Sequence, residues 1–98
     1  MQLYHNSQNK KYRSPFGALP AGEPFTLRLR VRDGNPDTVQ LRLWQNRAER
    51  LLDLHCDGGQ NGELWYSINL TAPDTPCLVW YYFIAWKDGQ AVYFSNRP

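Results

Sequence analysis

Ninety-eight residues, 42% apolar and 20% charged, with a net charge of +2, describe one ordinary globular domain rather than a disordered chain. The eleven basic residues are dispersed, which argues against the dense basic stripe of a nucleic-acid surface, and no apolar run reaches the ~18 residues of a membrane-spanning helix. The N-terminus carries no apolar leader and two cysteines do not make a disulfide framework, so the expected location is the cytoplasm.

Along the chain, Tyr4-His5 is expected to pair as a short first strand. Pro15 and Gly17 mark a turn, and Pro20, Gly22 and Pro24 mark another. Residues 25–32, FTLRLRVR, alternate strictly: Phe25, Leu27, Leu29 and Val31 against Thr26, Arg28, Arg30 and Arg32. That period of two predicts a strand with one buried face, and a slip of one residue would bury the arginines. After a turn over 33–37, residues 38–45 alternate again, with Val39, Leu41 and Leu43 inward and Gln40, Arg42 and Trp44 outward.

Residues 46–49 are expected to form a hairpin loop. Residues 50–56 are expected to form one strand, with Leu52, Leu54 and Cys56 on one face. The glycines of 57–62 must turn. Residues 63–70 form a further predicted strand with Tyr66, Ile68 and Leu70 inward. Pro73, Asp74 and Pro76 then lead into the longest apolar run, 77–86, CLVWYYFIAW, which holds five of the 14 aromatic residues. Its length and its aromatic and β-branched content favour a strand. A short turn at Asp88-Gly89 precedes a last strand over 91–95.

Short strands at regular spacing with turns between them predict an all-β, immunoglobulin-like sandwich of about seven to eight antiparallel strands. Cys56 and Cys77 are separated by a full strand, which places them near opposite ends of the sandwich. Both are expected to be buried or half-buried free thiols.

The order of segments is informative. Tyr4-His5, Tyr12-Arg13-Ser14-Pro15, Gly22 before FTLRLRVR, the LRLW tetrapeptide, Trp65-Tyr66, Tyr81-Tyr82-Phe83, Asp88-Gly89 and Tyr93 follow one another over nearly the whole chain. In this respect the chain resembles the N-terminal immunoglobulin-like domain of neopullulanase, cyclomaltodextrinase and maltogenic amylase, glycosidases of the α-amylase superfamily. The resemblance implies that residues 1–98 are a single accessory domain of a larger enzyme whose (β/α)₈ barrel carries the catalytic carboxylates.

Chemistry within the chain is sparse. Asp33, Asp37, Asp57, Asp74 and Asp88 sit beside Gly or Pro, where Asp is an ordinary turn former. No acid/base pair is visible, so no catalytic residue is assigned and the isolated domain is expected to be inert. His5 and His55 lack ligand partners at useful spacing, so neither a metal nor a cofactor is expected. The Arg28, Arg30 and Arg32 row reads as a solvated face paired with Asp53 or Glu63.

The aromatic run is the candidate site. The resemblance implies that Val79, Tyr81, Phe83 and Ala85 face the core, leaving Leu78, Trp80, Tyr82, Ile84 and Trp86 outward. Trp44, Trp80, Tyr82 and Trp86 are then the candidate contact residues. They serve either to stack on maltooligosaccharide or to dock on the catalytic barrel or a homodimer partner. An apolar face with Leu78 and Ile84 among the rings favours docking. Two other readings stand beside these: the opposite face is inner and Trp80 and Trp86 are core, or the chain is a free-standing β-sandwich protein-interaction module.

Overall fold

The computed structural model describes residues 1–6, 11–14, 21–45, 48–72 and 79–95. The turns expected at Pro15 and Gly17 and at Pro73, Asp74 and Pro76, the loop tip at Asn46-Arg47, and the expectations for Cys77 and Leu78 lie outside the described residues. Within them the chain forms nine strands: β1 (Gln2–Tyr4), β2 (Arg13–Ser14), β3 (Pro24–Arg32), β4 (Thr38–Gln45), β5 (Ala48–Asp53), β6 (His55–Gly58), β7 (Glu63–Thr71), β8 (Val79–Lys87) and β9 (Gln90–Phe94). Every pairing is antiparallel.

The strands make two sheets. The first has the order β1-β3-β7-β6, with β2 also on β3; the second has the order β5-β4-β8-β9. This is the immunoglobulin arrangement of four principal strands against four, as the spacing of strands predicted.

The period-two segments supply the centre. β3 and β7 run opposite each other over nine residue pairs, with Leu27 facing Ile68, Leu29 facing Tyr66 and Val31 facing Leu64. In the other sheet Val39 pairs with Ala85, Leu41 with Phe83 and Leu43 with Tyr81. The inner faces of both sheets interdigitate in one core of Leu27, Leu29, Val31, Val39, Leu41, Leu43, Tyr66, Phe83 and Ala85. The Leu, Val and Phe side chains among them each contribute roughly 1.5–3 kcal/mol by leaving water.

Four sequence expectations need correction. The strand expected over 50–56 is two strands. β5 belongs to the second sheet and β6 to the first, and the chain changes sheets at Leu54, whose N–H donates to the Val39 carbonyl at 2.8 Å. The loop expected over 46–49 is shorter, because Ala48 and Glu49 already pair with β4. Cys56 is exposed rather than buried: β6 is an edge strand, and a bulge between Cys56 and Gly58 breaks its register. His5 follows β1 instead of lying in it.

His5 is nonetheless central. It is 1% exposed, and it holds the Arg28 carbonyl through Nδ1 at 2.7 Å and the Tyr81 hydroxyl through Nε2 at 2.9 Å. Its ring also packs 4.8 Å from that of Phe83. It thereby ties the residue after β1 to strands of both sheets.

Two tight turns set the hairpin registers. Asn61 and Gly62 have φ of 58° and 79°, and Asp88 and Gly89 have φ of 51° and 78°. Consecutive left-handed residues form the type I′ turn that matches strand twist, and Asn-Gly and Asp-Gly are the dipeptides that adopt it most easily.

Candidate functional site

The outward residues of the second sheet fall into rows that cross the strands, and the registers fix their membership. One row runs Glu49, Trp44, Trp80; the next runs Leu51, Arg42, Tyr82; the third runs Asp53, Gln40, Ile84, Tyr93; the fourth holds Thr38, Trp86 and Ala91. On this face Trp44 is 47% exposed, Trp80 55%, Leu51 50% and Tyr93 62%.

The opposite facing of the aromatic strand is thereby ruled out. Phe83 and Ala85 are wholly buried in the core, whereas Trp80 lies mostly in solvent.

The candidate residues divide into two groups. Trp44 and Trp80 are direct cross-strand partners, and Tyr82 lies two residues along β8 from Trp80. Together with Arg42, Glu49, Tyr81 and Ser95 these three line an open concavity of about 500 Å³. That volume lies within the range of small-ligand sites. Trp86 stands apart, about 20 Å along the strand from Trp80. Its indole N–H donates to Gln40 Oε1 at 2.9 Å, and the ring is half-buried.

Ile84 also departs from expectation. It points outward by register, yet it is 3% exposed. The long side chains of Tyr82 and Trp86 flank it along the strand, and Gln40 and Tyr93 lie opposite it on the neighbouring strands. The apolar surface is therefore less continuous than the sequence alone indicates.

The polar floor of the concavity is organised around Arg42. Its Nη1 donates to the Tyr82 hydroxyl at 2.9 Å, and its Cζ lies 5.8 Å from that ring's centroid. Its Nε is 2.8 Å from Glu49 Oε1, an ionic contact too bent to count as a hydrogen bond. The Tyr82 hydroxyl and then the Glu49 carboxylate hold the guanidinium pKa above its ordinary value. Tyr82 and Tyr93 pack with ring centroids 6.1 Å apart.

Sequence reasoning named the rings and missed Glu49, Ser95 and the role of Arg42. Pairing of Gln45 with Ala48 sets Glu49 opposite Trp44. No Asn-Gly or Asp-Gly dipeptide announces that hairpin, so the register carried no sequence signal.

The Arg28, Arg30 and Arg32 row lies on the other sheet. Arg32 Nε donates to Glu63 Oε1 at 2.8 Å, and the Arg30 guanidinium lies over the Tyr4 ring at 5.1 Å. Glu63 is thus the partner, not Asp53, which instead accepts from Gln40 Nε2 at 2.9 Å on the second sheet. Among the described residues no three His, Cys, Asp or Glu side chains converge as metal ligands would.

No family model matches the chain. An amylopullulanase from Thermoanaerobacterium saccharolyticum is 33% identical over 101 residues, which span 97% of this chain and 8% of the relative. A cycloalternan-forming enzyme from Listeria monocytogenes, solved in complex with a pentasaccharide substrate, superposes with a TM-score of 0.78 at 16% identity. That match covers 95% of this chain and 10% of the enzyme. A cyclomaltodextrinase superposes with a TM-score of 0.71 at 13% identity, covering 98% of this chain and 17% of its own. The chain thus spans less than a fifth of each of these proteins. The small sandwich domain implied by the sequence resemblance is matched in fold by the cyclomaltodextrinase and in sequence by part of the amylopullulanase.

Proposed function

We propose that this chain is a non-catalytic accessory domain of a glycoside hydrolase acting on α-glucans, and that the Trp44–Trp80 surface contacts maltooligosaccharide. One observation carries the reading: two cross-strand indoles, each about half exposed, border a concavity that also presents guanidinium, carboxylate and hydroxyl groups. Flat rings stack on the apolar faces of glucose units while the polar floor meets their hydroxyls. This is the usual composition of small-ligand sites, apolar walls with a few placed polar groups.

Four of the acids are engaged with neighbours at the surface. Asp37 is held by Lys87 and the Asp88 N–H, Glu49 by Arg42, Asp53 by Gln40 and Glu63 by Arg32.

Burial of Ile84 removes part of the argument for docking, because the apolar face is interrupted. Docking on a catalytic barrel or a second copy of the chain remains the second reading. The exposed Leu51 and Tyr93 favour it, since they extend the apolar surface on both flanks of the concavity.

Titration with maltoheptaose, followed by tryptophan fluorescence, separates the two. Saccharide contact requires a saturable change in the parent chain and its loss in Trp44→Ala and Trp80→Ala. An unchanged signal in the parent chain removes that reading. Concentration-dependent dimerisation abolished by Leu51→Ser would then favour docking.

A further inference from the structure

We propose that Glu49 makes the concavity selective for neutral saccharides, by cancelling the charge of an arginine that would otherwise draw anionic ones. The inference rests on the saccharide reading above and adds a specificity-determining residue to it.

Of the described side chains lining the concavity, Arg42 and Glu49 are the two that carry charge at neutral pH. They lie on neighbouring strands of one face, with the Nε of Arg42 2.8 Å from Glu49 Oε1. Both remain in reach of a ligand, with side chains 42% and 45% exposed. An arginine beside aromatic rings is by itself a good receptor for a uronate or a phosphate, because its planar fork matches those anions and is weakly hydrated. Here the carboxylate already faces that fork, so the two charges of the described lining cancel. An incoming anion would have to displace Glu49 and then sit beside it. A sugar hydroxyl meets no such penalty. It can donate to the carboxylate and accept from the guanidinium, whose Nη1 is oriented by the Tyr82 hydroxyl.

The test uses the whole chain and two probes of similar size, maltotriose as the neutral one and α-linked trigalacturonate as the anionic one. The variants are Glu49→Gln, which keeps the shape and removes the charge, and the double variant Arg42→Met with Glu49→Gln. Urea midpoints check that each is folded. The parent chain is expected to bind maltotriose and to bind trigalacturonate more weakly, with an affinity still measurable at the upper end of the titration. Glu49→Gln, whose amide oxygen still accepts from a sugar hydroxyl but without the charge, is expected to weaken maltotriose by up to about fivefold and to gain trigalacturonate affinity by about three- to fivefold, the upper scale of one exposed charge pair. That gain should fade with added salt and vanish in the double variant.

A parent chain that binds both probes equally overturns the proposal. So does a Glu49→Gln chain that binds maltotriose and gains nothing for trigalacturonate; the saccharide reading survives either result. A parent chain that binds neither probe removes the saccharide reading and this inference with it.

Discussion

Trp80 and Phe83 stand three residues apart on one strand, and the facing of that strand decides what each does. Phe83 is completely buried in the core and Trp80 is 55% exposed. Truncating a buried phenylalanine removes its transfer free energy and leaves a cavity, so Phe83→Ala should cost about 3–5 kcal/mol. A tryptophan buries some 150–250 Å² when packed, of which Trp80 keeps less than half, about 70–110 Å². At ~25 cal/mol per Å² that is at most about 2–3 kcal/mol, and a compact denatured state lowers it further. Trp80→Thr retains a β-branched side chain suited to a strand, so its cost should be about 1–2 kcal/mol. Urea denaturation of both variants, with unchanged slopes, measures the two values. A Phe83→Ala chain already unfolded in water gives the same ordering. Equal costs, or a larger cost for Trp80→Thr, would mean that the indole is packed, and the site built on it would fall.

Three further outcomes follow from the same structure. The Asp37 carboxyl is held below its ordinary pKa by the Asp88 N–H and then by Lys87, and Glu63 is held below its own by Arg32. Groups with depressed folded-state pKa values stabilise fully above the ordinary carboxylate range near pH 4 and lose that contribution as pH falls through the lower values. The urea midpoint should therefore drop below about pH 4, and less steeply in Asp37→Asn with Glu63→Gln. At the other extreme, burial, with the neighbouring Cys56 second, pushes Tyr66 up to about 12. Burial also raises Tyr12, and such stabilisation is intact below about pH 10 and is lost as pH rises toward the folded values, so tyrosinate absorbance should show late-titrating rings, Tyr66 among them, that appear together with unfolding. His5→Ala removes a buried ring and its bonds to the Arg28 carbonyl and the Tyr81 hydroxyl. It should cost about 2–4 kcal/mol by urea denaturation, and a cost under about 1 kcal/mol would show that β1 is not tied down there.

Period two made β3, β4 and β7 legible, because each has one apolar face and a register slip would bury charge. The change of sheet at Leu54 was not. Alternation continues through Leu52 and Leu54 whether or not the backbone leaves its neighbour, and only the tertiary partners, β4 for one piece and β7 for the next, separate them. Cys56 was misplaced for a related reason: alternation assumes a regular ladder, and an edge strand with a bulge is not one. A lone histidine in a polar stretch gave no hint that His5 bonds to both sheets. For the candidate site, the facing of Trp44, Trp80, Tyr82 and Trp86 could be inferred, but their grouping is a matter of cross-strand register. Trp86 pairs with Thr38 at the far end of the face from the Trp44–Trp80 pair.

The concavity itself follows from strand length. β9 pairs with β8 from Phe83 to Lys87, so β8 has a neighbour on both sides over that half. There the outward side chains are crowded, and Ile84 is sealed by the residues around it. Among the described residues β9 ends at Phe94, and Ser95, one residue beyond, lines the concavity instead of pairing. Trp80 and Tyr82 therefore belong to the half of β8 that lacks a β9 partner and has β4 on one side. Their rings have a floor in Arg42 and a cross-strand companion in Trp44; on the other flank Tyr82 packs against Tyr93, and among the described residues no strand pairs beside Trp80. On this account, adding bulk where β9 stops should close the site without touching the rings. Ser95→Trp is expected to abolish saccharide-dependent fluorescence changes while leaving the unfolding free energy within about 0.5 kcal/mol of the parent, the usual range for a surface substitution. Retained binding in that variant would show that the open flank is not the way in.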